Sequence, residues 1–75
     1  MEATYHVIAI SFGQNGQNTE YWNSSLVNDE NTTKNAESAE GFETKELAEN
    51  ALENFVKPYG ILKGWNVTYS INTIN

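Results

Sequence analysis

No cysteine occurs among the 75 residues, and histidine occurs once, at His6. A disulfide framework is therefore excluded, as is a zinc site built from cysteine and histidine. His6 sits inside an apolar run with no second histidine to complete a catalytic dyad or a metal cluster. Its plainer reading is a structural strand residue. Arginine is missing as well, and four lysines stand against ten carboxylates for a net charge of −6. So few cations cannot form a phosphate-neutralising face, so neither direct nucleic-acid binding nor adsorption to anionic membranes is expected. No run approaches the ~20 apolar residues of a bilayer span. The start, Met1 to Tyr5, has no basic leader region, and the expected location is cytoplasmic.

A chain of this length is expected to form a single domain, residues 1–75, with one core. It buries only about 60% of the surface its unfolded form exposes, so its margin of stability is narrow. Two Trp, four Tyr and three Phe supply the packing that cross-links would otherwise give.

Residues 4–12 are β-branched and aromatic and read as a strand. Residues 13–18 repeat a tripeptide, Gly-Gln-Asn, and Asn15-Gly16 at the centre is a strong hairpin signal because both turn positions favour φ > 0. A second strand is expected over residues 19–27, and a short third one near Lys34 to Ser38. Thr44 is a plausible helix N-cap, and Leu47, Ala48, Ala51, Leu52, Phe55 and Val56 recur at three- and four-residue spacing as one apolar stripe. Leu47, Leu52, Phe55 and Val56 are expected to pack on the sheet. Pro58 is expected to stop the helix and Gly60 to turn the chain. In a last strand, residues 65–74, Trp65, Val67, Tyr69 and Ile71 alternate with Asn66, Thr68, Ser70 and Asn72. The fold class is α+β: an antiparallel sheet of three or four strands with one amphipathic helix packed on one face.

Little in the chain suggests chemistry. Asp29-Glu30 lacks the ligand spacing of a calcium loop, and Gly13 to Asn18 lacks the Lys-Ser/Thr of a phosphate loop. A chain this short is not expected to form a cleft of the ~300 Å³ or more that substrates usually need. No enzyme, cofactor or metal is expected.

Two features point to binding instead. With a two-residue turn, Ile10 pairs with Tyr21 and Ala9 with Trp22, so one sheet face shows Ile8, Ile10, Phe12 and Tyr21. The other shows Tyr5, Val7, Trp22 and Leu26. One helix covers only one face. Either the second is an interface for a partner or a homodimer, or a bulge or longer turn shifts the register and gathers these residues into one core. The second feature is the series Glu37, Glu40, Glu43, Glu46, Glu49 and Glu53. It is either a solvated face or a negative surface aimed at a protein with a basic groove.

The short length, the net charge and the glutamates of Glu46-Leu-Ala-Glu49-Asn-Ala-Leu-Glu53 give the chain a resemblance. In general character it is similar to small acidic phage-encoded inhibitors of host defence, the anti-CRISPR and DNA-mimic class. That class has no common fold or signature, so no residue role is carried over. The resemblance implies blockade of a nucleic-acid-binding protein in the cytoplasm of a host cell. The reading from a different class is a structural or assembly subunit that self-associates through its sheet face.

Overall fold

Four consecutive residues, Val7 to Ile10, are fully or almost fully buried, although their side chains alternate between two faces. The strand that carries them, β1 (Tyr5–Phe12), is therefore central. A computed structural model describes residues 4–13, 18–24 and 31–74. In it β1 lies between β2 (Asn18–Trp22) and β4 (Val67–Ile74), with a two-residue β3 (Thr32–Thr33) outside β2. All pairings are antiparallel. One helix of 19 residues, α1 (residues 45–63), completes the α+β fold.

The β1–β2 register differs by one residue from that of a two-residue turn. Ala9 pairs with Tyr21 and Ile10 with Glu20, and the last pair is Phe12 with Asn18. Residues 13–17 therefore join the strands; Asn15 and Gly16 lie outside the described residues. A one-residue slip transfers every side chain of a strand to the opposite face. Trp22 thus joins Ile8 and Ile10 under the helix and is only 5% exposed. The other face holds Val7 and Ala9, both buried, with Tyr5 and Tyr21 half-buried and Thr68, Ser70 and Asn72 exposed. The apolar patch expected there, with Trp22 at its centre, is absent among the described residues, and Leu26 lies outside them.

The expected third strand at Lys34 to Ser38 is also corrected. Ala36–Ser38 forms a 3₁₀ turn, capped by the Asn35 side chain, which accepts from the Glu37 N–H at 2.9 Å. The strand comes earlier, at Thr32–Thr33, where the Thr32 hydroxyl donates to the Glu20 carboxylate at 2.6 Å. Asparagine and threonine side chains offer the backbone such local alternatives to a ladder. Of the expected second strand, only the part up to Trp22 is strand; residues 25–27 lie outside the described residues.

Helix α1 begins as the sequence indicates. The Thr44 hydroxyl accepts from the Leu47 N–H at 3.1 Å, satisfying one of the orphan donors at the helix start. It does not stop at Pro58. Leu52–Val56 forms a wide π turn in which the Lys57 N–H donates to the Leu52 carbonyl, five residues back. This turn lies immediately before Pro58, which has no N–H to give and whose ring in an unbroken α-helix meets the carbonyl four residues back. The helix runs on to Lys63 and ends at Gly64, whose φ of 74° is easy only for glycine. Trp65 N–H then donates to the Gly60 carbonyl at 2.9 Å and Gly64 N–H to the Ile61 carbonyl at 3.1 Å, the paired bonds of a Schellman cap.

The π turn also settles which helical residues are inside. Ala48, Leu52, Val56 and Gly60 are buried at every fourth position. In a regular α-helix that spacing drifts about 40° per step; the wider turn takes up part of the drift. Leu52 and Val56 pack as expected, but Leu47 and Phe55 are 49% and 66% exposed. Gly60 allows a close approach: a Cβ there would lie 2.3 Å from the Tyr69 hydroxyl oxygen. Burial pushes the Tyr69 hydroxyl above its usual pKa, and the Lys57 ammonium partly offsets this. Edge-to-face contacts link Phe12 to Trp65, Trp65 to Tyr59 and Tyr59 to Trp22, with centroids 5.2–5.4 Å apart.

Two contrasts test this packing. Leu52→Ala is expected to cost about 2–5 kcal/mol in urea unfolding, whereas Phe55→Ala should cost under about 1 kcal/mol because the ring is mostly solvated. Equal costs would contradict the π turn. On β4, Val67→Asp should unfold the domain while Thr68→Asp changes stability by under about 1 kcal/mol. Similar circular-dichroism melts for both variants would contradict the in/out alternation.

Candidate functional site

Beyond Trp22, β2 leaves the side of β1, and residues 40–42 take its place. The Glu40 N–H donates to the Trp22 carbonyl at 2.9 Å, and His6 and Phe42 exchange two backbone hydrogen bonds at 2.8 Å each. Glu40 also fastens the strand end. Its Oε1 accepts from the Ser24 N–H at 3.0 Å and from the Ser24 hydroxyl at 2.6 Å. Asn23 adds a bond from its side-chain amide to the Ser38 carbonyl at 2.7 Å.

This crossing segment stands apart from the helix and leaves a groove between them. Its volume is about 510 Å³, and Trp22, Phe42, Ala51, Phe55 and Tyr59 form its apolar walls. Ser24, Asn31 and Glu40 supply the polar part of the lining. A cleft of this size was not expected from so short a chain. It arises because Ala51, Phe55 and Tyr59 form a second four-residue row beside the buried one, with Phe55 left uncovered. The groove is aromatic, and among the described residues Glu40 supplies its one carboxylate. Such a lining suits an apolar or cation-bearing side chain, since aromatic faces attract cations.

The glutamates expected to act together are divided by the fold. Glu40 alone reaches the groove, half-buried. Glu37 lies exposed in the first turn of the 3₁₀ helix, Glu43 is exposed just before the N-cap, and Glu46 is exposed in the first turn of α1. Glu49 and Glu53 are exposed on the opposite flank of the buried row from Phe55, and Glu53 pairs with Lys57. They form a solvated acidic flank, not a continuation of the groove. Tyr5 is in neither place: its ring lies under Gly41, where a Cβ would be 2.9 Å from Cδ2. Trp22 is a wall of the groove and a core residue at once. His6 Nδ1 lies 3.1 Å from the Thr73 hydroxyl oxygen, a cross-strand contact between β1 and β4.

Phe42 and Tyr59 are groove residues that sequence reasoning did not single out, and Phe55 was expected in the core instead. The four-residue spacing of Ala51, Phe55 and Tyr59 carried the signal, and an early helix end at Pro58 hid it. No cluster of three or more His, Asp or Glu able to hold a metal occurs among the described residues. Comparison of the chain with protein-family models, with curated proteins and with solved structures finds no match.

The role of Glu40 is open to direct test. Glu40→Ala removes the acceptor for both Ser24 donors and is expected to cost about 1 kcal/mol, the value of a partly solvated hydrogen-bonded contact. Glu37→Ala should stay within about 0.5 kcal/mol of wild type. Urea unfolding of the two variants side by side checks this; equal effects would remove Glu40 from the frame of the groove.

Proposed function

We propose that the protein is a small acidic protein-binding inhibitor or adaptor that engages a partner with a basic surface. The observation that carries this reading is Phe55. A large aromatic ring 66% exposed at the mouth of an aromatic groove, in a chain of net charge −6, is an anchor without a structural duty. Two modes of attraction support it. The acidic residues steer a basic partner from a distance, and the groove holds an apolar or cationic side chain on arrival. The likeness in character to phage inhibitors of host defence makes the partner a nucleic-acid-binding protein of a host cell, occupied at its basic groove. The carboxylates are too dispersed to copy a phosphate ladder, so the mode proposed is competition for basic residues, not mimicry of DNA geometry.

The two modes separate experimentally. Reversing Glu46, Glu49 and Glu53 to lysine should slow association strongly and abolish its salt dependence, because steering acts on the encounter. Phe55→Ser should leave association nearly unchanged and speed dissociation at least about tenfold, as loss of a buried anchor does. Surface plasmon resonance against the partner captured from the source cell reads both. Wild-type rates in both variants would refute the proposal.

A further inference from the structure

Among the described residues Glu40 brings the only carboxylate to the aromatic groove, and the fold uses one of its two oxygens. Oε1 accepts from both the Ser24 N–H, at 3.0 Å, and the Ser24 hydroxyl, at 2.6 Å. Two donors fill the two lone pairs of that oxygen. Oε2 has no hydrogen-bond or ion-pair partner among the described residues. The four lysines do not neutralise it. Lys57 pairs with Glu53 on the other flank of the helix, Lys63 lies over the Tyr59 ring, and none of the four lines the groove.

We propose, on the reading that this groove receives a partner protein, that its occupant is the side chain of a lysine. Charge selects a cation. An open carboxylate oxygen beside aromatic rings attracts one through both the charge and the ring faces. An apolar side chain would cover Oε2 without giving it a donor, and a polar group left unpaired on burial weakens binding. Geometry selects an ammonium over a guanidinium. The fork of arginine gains its advantage by pairing with both oxygens of a carboxylate, and Oε1 is already taken. Trp22 and Tyr59 meet at 70°, so they present no parallel walls for a planar guanidinium to stack between. A compact ammonium needs none.

The rest of a lysine fits the remaining walls. Its methylene stem lies along Ala51 and Phe55 of the helix, since lysine keeps its stem on apolar surface and its head in a polar place. The exposed Phe55 ring thereby gains an apolar cover. The ammonium comes to the crossing segment, where Ser24 holds the Glu40 carboxylate. Those bonds orient the carboxylate before the partner arrives, so little ordering remains for the binding step.

Titration of the chain with n-butylammonium, the lysine side chain alone, tests this at fixed ionic strength through the NMR signals of the Trp22 indole and the Phe55 and Tyr59 rings. n-Butylammonium is expected to shift all three. It should bind at least about threefold more tightly than n-butanol, its neutral counterpart, and than n-propylguanidinium, the arginine end. Glu40→Gln keeps an oxygen for the two Ser24 donors and replaces the open oxygen by an amide nitrogen, itself a donor. That variant should bind n-butylammonium at least about fivefold more weakly and n-butanol as wild type does. No shift with n-butylammonium, equal binding of the three probes, tightest binding by n-propylguanidinium, or wild-type affinity of Glu40→Gln for n-butylammonium would overturn the assignment of lysine. None of these results touches the anchor role of Phe55, which fails instead if Phe55→Ser leaves the captured partner at the wild-type rate.

Discussion

Ala48, Leu52, Val56 and Gly60 lie at every fourth position of the helix and meet the sheet through Ile8, Ile10, Trp22 and Tyr69. Each large side chain in this contact contributes about 1.5–3 kcal/mol by leaving water. For a domain whose whole net stability is about 5–15 kcal/mol, one misplaced member is a serious loss. Two local departures keep the contact in register. The π turn at Leu52–Val56 holds the four-residue row in line, and the five-residue connection between β1 and β2 turns Trp22 inward. The groove follows from both: once Val56 faces in, Phe55 is left at its edge, and once Trp22 faces in, it becomes a wall.

Much of this architecture is legible in the residues. Thr44 marks the helix start, the alternation from Val67 to Ile71 identifies the last strand and its buried face, and the run from Tyr5 to Phe12 can only be a strand. What is not legible depends on single-residue offsets. Asn15-Gly16 suits a two-residue turn as well as a longer connection, yet the two choices place Trp22 on opposite faces. Pro58 is the usual end of a helix, and only the wide turn before it, which no residue type announces, lets the helix continue. Gly60 and Gly64 are alike in sequence. One is buried against Tyr69 and the other caps the helix in the left-handed region.

The same offsets decide where apolar side chains are exposed. An excess of apolar residues on the hairpin suggested an open sheet face, but the slip moved Trp22 to the helix side. Exposed apolar side chains occur instead on the helix, at Leu47, Phe55, Ile61 and Leu62. Charge is also sorted in space. The glutamates populate the helix and the crossing segment, whereas the strand at the far edge has no charge at all.

The register of β1 and β2 is the claim on which the groove, and the binding reading built on it, depends. Nuclear Overhauser contacts across the hairpin measure it directly. The account requires Ala9 opposite Tyr21 and Ile10 opposite Glu20, together with contacts between the Trp22 indole and the Tyr59 ring, whose centroids lie 5.2 Å apart. Contacts that pair Ala9 with Trp22 and Ile10 with Tyr21, with no signal between Trp22 and Tyr59, would return Trp22 to the open face and contradict it.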